Sequence, residues 1–393
     1  MEFHPDMGYV ENDIDLTDVD LYKPTNLPFG QATILPLFSY QSKIFSDLED
    51  EKLWTRNWIA IGSTKEIPNP GDLFPYTVGH HGIHVQREID GCLIGRFNKA
   101  QHGGCRAVPL QCQTGKKTKC SFTSCGYSRD RHVIHVEEIG ENTPTMHQYL
   151  GQIPERLLPV KVDTLGSLVF INLDQEYSDL TESFKQLPNS IKLSLSNDFT
   201  LQNSEWFECA SNWKLAGRAF FDNKVIRDRC AINDENENKA SDIFLASDLS
   251  THDIGVKTAE NIGHVELCWL FPNLILVLHP TFVLSVILQP TSMGACILRT
   301  TMFKKSNENS DCDTASLPNK WQNYIRLICS NAQSMQVRTD KLTAPGAPEL
   351  AADMIPVETS IAGYAFHQYI FKQIETAHKY YWNSPLYSNN IRR

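Results

Sequence analysis

The order of apolar and polar positions divides the chain into many short alternating segments and a few helical ones. Phe45, Leu48, Leu53 and Trp54 recur at helical intervals, which predicts a helix over Phe45–Trp58. Ile67-Pro68-Asn69-Pro70-Gly71-Asp72 is a turn cluster. Leu73–Val78, His84–Glu88 and Leu93–Asn98 then alternate as the strands of a small antiparallel sheet do, and Leu158–Val162 and Ser167–Leu173 add two more. Loops rich in Gly, Cys and Lys, at 99–112 and 113–130, lie between these groups. From about residue 180 the pattern predicts helices near 178–190, 213–226, 318–335 and 357–382, β-rich stretches at 201–209 and 243–304, and a loop at 305–316. The last helix carries an aromatic face of Tyr364, Phe366, Tyr369 and Phe371. Leu267–Leu288 is the most apolar run, but Pro272, Asn273, His279 and Pro280 break it, so it reads as two adjacent buried strands and not a membrane span. There is no internal repeat. The layout is α+β: an arm at 1–36, a small antiparallel β domain at 37–178, and a larger domain at 179–393 with an antiparallel sheet and a long closing helix.

Composition narrows the function. A hydrophobic fraction of 41% with 21% charged residues gives a 393-residue globular chain ample material for a core. The net charge of −10 argues against nucleic acid or an anionic membrane as a partner. Seven acids precede the first base, Lys23, so no secretory or mitochondrial leader is expected, and the chain is placed in the cytoplasm. Eleven cysteines and thirteen histidines stand out. The odd cysteine count in a reducing compartment disfavours a disulfide framework, so their positions must be weighed against metal chemistry.

Several pieces fall in a familiar order. Trp54 and Trp58 precede Ile67–Asp72, and Arg96-Phe97-Asn98 precedes the first loop. Gly115-Lys116-Lys117, Leu158-Pro159-Val160 and Val169-Phe170-Ile171-Asn172-Leu173-Asp174 follow. Asn212-Trp213-Lys214, Phe271-Pro272-Asn273-Leu274 and Val357-Glu358 with Phe366-His367 complete the series. In these pieces the chain resembles the catalytic α subunits of Rieske-type ring-hydroxylating oxygenases, of the choline-monooxygenase-like branch. The resemblance implies a Rieske-like β domain and a helix-grip-like catalytic domain with a substrate pocket.

The same resemblance implies two iron centres, and the ligand positions depart from it. A Rieske [2Fe–2S] cluster takes two Cys and two His, which the family supplies as Cys-x-His and Cys-x-x-His. Here the loops read Asn98-Lys99-Ala100-Gln101-His102-Gly103-Gly104-Cys105-Arg106 and Cys120-Ser121-Phe122-Thr123-Ser124-Cys125-Gly126-Tyr127, and no gap placement restores that set. The mononuclear iron needs two His and a carboxylate, yet no histidine lies between His147 and His252 and no acid between Asp313 and Asp340. Val225 (or Ile226) and Cys230 (or Ala231) stand at the two histidine positions, after Asp222. The expectation is therefore a chain with neither cluster nor catalytic iron. His102, Cys105, Cys120 and Cys125 would suit a tetrahedral structural zinc; a loop disulfide and free thiols stay open beside it, and Cys112 can replace any of the cysteines.

Two function classes follow. One is a non-redox enzyme (cyclase, pericyclase, dehydratase or isomerase) acting on a medium-sized biosynthetic intermediate in the inherited pocket. Its proton-transfer candidates are Asp222 and His279, and Lys224 or Arg218 would polarise a carbonyl. Phe220, Phe221, Val225 and Cys230 would line the pocket. Against this, the basic residues read equally as a solvated helix face, His279 as a core histidine and Cys230 as a small buried residue. The other class is a non-catalytic subunit that stabilises or regulates an active oxygenase, its pocket filled by Phe220, Phe221 and Val225. An oxygenase with atypical ligands is a remote third. The resemblance implies a small-molecule substrate and a homotrimer or another homo-oligomer.

Overall fold

The computed structural model describes residues 9–79, 81–97, 118–119, 126–127, 159–174, 179–184, 199–221, 255–257, 266–278, 282–305, 317–343, 355–358 and 360–376. The chain forms two compact units, Met1–Leu53 with Ser178–Ala377 and Trp54–Tyr177 with His378–Arg393.

The smaller unit is a six-stranded antiparallel sheet. Its strands are β1 (Ile59–Ser63), β2 (Leu73–Val78), β3 (His81–Arg87), β4 (Leu93–Phe97), β5 (Pro159–Leu165) and β6 (Leu168–Asn172). They lie in the order β1-β6-β5-β4-β3-β2. The turn before β2 closes where the Asn69 amide donates to the Asp72 carboxylate at 2.8 Å. Strand β3 is buried on both faces: Ile83 and Val85 on one, His84 on the other. Directly opposite His84 is Arg96 on β4, which reaches Gln86 and Glu88 at 3.5 Å each. His84 is fully buried and neither ring nitrogen has a hydrogen-bond partner; burial foremost, with Arg96, pushes its pKa down to about 3.

The larger unit is built on a second six-stranded antiparallel sheet. It comprises β7 (Phe199–Cys209), β8 (Gly255–Lys257), β9 (Glu266–Leu270), β10 (Leu274–Leu278), β11 (Phe282–Ser292) and β12 (Ala295–Lys305), ordered β7-β12-β11-β10-β9-β8. The run Leu267–Leu288, expected as two strands, spans β9, β10 and the start of β11, because the Phe271-Pro272-Asn273 turn splits it once more than the alternation suggests. Among the described residues the longer helices of this unit are α1 (Lys43–Glu49), α2 (Trp213–Ala219), α3 (Leu317–Thr343) and α4 (Ile361–Glu375). The Ser42 side chain starts α1 by accepting from the Phe45 amide at 3.0 Å. The α-helical part stops at Glu49, short of the expected Trp58, and a widened π-type turn over Asp50–Trp54 leads out of it. Near 178–190 the described helix is one turn, Leu180–Ser183, whereas α3 extends well past 335 and is the longest described.

The first boundary falls between Leu53 and Trp54 and not at the expected residue 36. Residues up to Leu53 go with the larger unit because main-chain bonds tie them to it: Ile34 donates to Pro356 O at 3.0 Å, and Glu358 donates to Ala32 O at 2.8 Å. The Gln368 side-chain amide also donates to Thr25 O at 2.9 Å. No described helix is long and apolar enough to cross a membrane.

Candidate functional site

The site centres on α2, whose start is fixed by one residue. Asn212 caps the helix, its side-chain oxygen accepting from the Lys214 amide at 3.1 Å. Its amide nitrogen donates to Tyr40 O at 3.2 Å and Met293 O at 2.8 Å, while its main-chain N–H donates to Gln336 Oε1 at 2.9 Å. The N-terminal segment, the β11–β12 turn and α3 are thus tied to the first turn of α2.

Two buried ion pairs follow along this helix. Lys214 Nζ meets Glu49 Oε1 at 2.8 Å inside an aromatic cage of Tyr40, Phe45 and Trp213, each ring centroid 5.4–5.5 Å away. Burial pushes the Lys214 ammonium down and the Glu49 carboxyl up, and the attraction within the pair opposes both shifts. One turn later, Arg218 Nε donates to Glu358 Oε2 at 2.9 Å, with Met335 Sδ 4.0 Å from its Nη1. Glu358 is completely buried; its Oε1 accepts the Ser360 amide at 2.9 Å, and His367 Nδ1 lies 3.6 Å from Oε2. Burial foremost, then Arg218 and Lys214, hold His367 neutral, with its pKa pushed down to about 3.

Beside these pairs runs an aromatic stack. Phe221 lies parallel to Trp269 at 5.6 Å, and Trp269 stacks on Phe366 of α4 at 4.0 Å. Phe271 continues to Tyr369 at 5.2 Å, and Trp213 meets Phe366 edge-on at 5.5 Å. The Trp269 indole N–H donates to Pro272 O at 3.0 Å. Gly217 permits this arrangement, because a Cβ there would come within 2.4 Å of the Trp269 ring and 2.9 Å of Leu288.

Of the residues singled out from the sequence, the described part contains Arg218, Phe220 and Phe221. Arg218, a candidate carbonyl polariser or solvated cation, is largely buried and paired. Phe220 and Phe221 are fully buried, Phe220 against Tyr324 edge-on at 6.4 Å. Asp222, Lys224, Val225, Cys230, His279 and the four loop residues His102, Cys105, Cys120 and Cys125 lie outside the described residues. Glu358, His367 and Trp269 were not picked as site residues. The signal for Glu358 was present: an acid amid apolar sequence shortly before a helix.

No family model matches the chain. The chlorobenzene dioxygenase α subunit of a Cupriavidus species is 23% identical over 185 residues, 46% of this chain and 40% of that protein. The carnitine monooxygenase oxygenase subunit of Acinetobacter pittii is 21% identical over 192 residues, 47% of this chain and 49% of that protein. The matched region thus spans less than half the length of these curated relatives. Among solved structures, an apo quaternary ammonium Rieske monooxygenase superposes with a TM-score of 0.63 at 15% identity, over 90% of this chain and 98% of that one. A naphthalene 1,2-dioxygenase with bound indole gives 0.59 at 11%, over 91% and 96%. The fold is that of Rieske oxygenase α subunits, α+β with antiparallel sheets, and just under half of the chain is similar in sequence to such subunits.

This corrects the cofactor expectation. A chain with neither a [2Fe–2S] cluster nor catalytic iron, and with a structural zinc as one option, was read from the loops; the proteins it matches are Rieske monooxygenases and dioxygenases, which run on those centres. Among the described residues no group of three His, Cys, Asp or Glu side chains is placed to hold a metal. The buried face of α3 carries Ile325, Ile328, Ala332, Gln336 and Thr339 and no carboxylate. The loop positions and the segment after α2 that the resemblance would assign to those centres lie outside the described residues.

Proposed function

We propose that this chain is an enzyme on the Rieske oxygenase α-subunit scaffold that cyclises, dehydrates or isomerises a medium-sized organic intermediate, a reaction needing no electron donor. The proposal concerns the reaction and is independent of what metal the chain carries. The observation that carries it is the paired Arg218 at the end of α2, beside the aromatic stack of Phe221, Trp269 and Phe366. Glu358 fixes the guanidinium so that it needs no reorganisation when negative charge develops on a substrate oxygen. The stacked rings of Phe221, Trp269 and Phe366 would form a rigid apolar wall behind that cation. Asp222 follows Phe221 directly and is the proton-transfer group of this reading, with His279 as its alternative. Lys224 is the alternative to Arg218 as polariser, and Val225 and Cys230 would complete the pocket.

A test needs no foreknowledge of the substrate. The purified chain is incubated, without air or reductant, with metabolite extract from its own cells, and products are compared by mass. A product of unchanged mass, or lighter by one water, supports the reading. Asp222→Asn should then slow its formation by about 10²–10⁴-fold. A product heavier by oxygen, formed only with air and a reduced donor, overturns it.

A second reading has its own support. Phe220 and Phe221 are packed with no exposed surface, as a filled pocket would have them, which suits a non-catalytic subunit of a mixed assembly with an active oxygenase. Such a subunit would give no product under either atmosphere.

A further inference from the structure

Three thiols far apart in sequence lie close together in the larger unit. Cys209 ends β7 and stands directly opposite Cys296 on β12. The third, Cys329, is on α3, and the Cys209 thiol lies 3.9 Å from its main-chain oxygen. Cys209 thus has Cys296 across the strand pair and Cys329 on the helix as thiol neighbours. All three are reduced. Cys209 and Cys296 are buried, whereas Cys329 is partly exposed on α3.

We propose that Cys209 and Cys329 form an oxidation site, in which hydrogen peroxide joins them in a disulfide that pins α3 to the end of β7. Peroxide reaches Cys329 first because that residue is the one of the three with exposed surface. The Cys329 thiol becomes a sulfenic acid and one water leaves. The neighbouring Cys209 sulfur then attacks the Cys329 sulfur, the S–O bond breaks, and the departing hydroxide takes the Cys209 proton as a second water. Two thiols and one peroxide thus give one disulfide and two waters. Cys296 sits within the same strand pair but lacks the access that starts the sequence.

The thiols are not poised for rapid signalling. The hydrogen bond from Cys296 foremost pushes the Cys209 thiol up to about 12, and the bond to Cys209 foremost raises Cys329 as well. Thiolate is the reactive form, so the pair stays reduced in ordinary conditions and closes only under sustained oxidation. Closure links residues 120 positions apart, which restricts the unfolded chain strongly. The site lies one short turn before Asn212, so it fixes the strand end from which α2 departs.

The test is non-reducing peptide mapping of the intact native chain after prolonged exposure to hydrogen peroxide. The expected product joins the peptide holding Cys209 to that holding Cys329 with loss of two hydrogens. The same link should form in Cys296→Ser, and the melting midpoint of the oxidised chain should rise by roughly 5–10 °C. Cys209 found joined to Cys296 would overturn the proposal. So would Cys209 and Cys329 both remaining open to alkylation after the exposed Cys92 has been oxidised.

Discussion

Lys214→Met isolates the buried charge at the start of α2. The wild-type ammonium is completely buried and the Glu49 carboxylate nearly so, 2.8 Å apart. Methionine keeps the length and apolar bulk of the stem but removes the α2 charge that faces Glu49. Removing one partner of such a pair costs about 3–5 kcal/mol, since the remaining charge has lost its compensation. Glu49 already has its pKa raised by burial, and without Lys214 it rises further. A folded value above the unfolded one, about 4.3, gives stability that is present below that pH and lost as pH rises through the folded value. The destabilisation should therefore be larger at about pH 8 than at about pH 5. Urea unfolding at both values measures it, and the double variant Lys214→Met with Glu49→Leu should recover most of the loss. A loss below about 1 kcal/mol, or one independent of pH, would refute the view that this pair is desolvated as a unit.

Gly217→Ala should cost about 1–3 kcal/mol in the same unfolding assay, because its methyl would press into Trp269; an unchanged midpoint would show that α2 is free to move off the sheet. Glu358→Ala should destabilise by about 3–5 kcal/mol and Glu358→Gln by less, since the amide can still accept from Arg218; equal losses would contradict a charge-dependent role. His84 has a folded pKa of about 3, below its unfolded value, so its contribution is present above about pH 6.5 and lost as pH falls towards the folded value. His84→Val should remove up to about 1.4 kcal/mol per pH unit from the acid limb of the stability profile. A profile unaltered by that substitution would mean the imidazole finds a partner when protonated.

The fold was largely legible because strands announce themselves by period two. Leu73–Val78 was read with both ends as found, and the neighbouring β3 and β4 were placed within a few residues. Helix ends were less so. Capping by Ser42 and Ser360 is written in the sequence, but the widened turn at Asp50–Trp54 keeps the apolar spacing of a helix and so extended the expected α1. The site was legible only in part. Asn212-Trp213-Lys214 marked the right helix, yet Glu49 and Glu358, the partners of its two cations, lie 165 and 140 residues away. The cysteines tell the same story. The loops at 99–130 carry cysteines at short spacing, whereas Cys209, Cys296 and Cys329 are brought together by strand pairing and helix docking that no local spacing encodes.

The most direct measurement of the proposed reaction is product formation under heavy-isotope dioxygen, with and without a reduced electron donor. The non-redox reading predicts the same product at the same rate in both arms, with no label incorporated. Label in the product, appearing only when the donor is supplied, would contradict it and return the chain to oxygen chemistry.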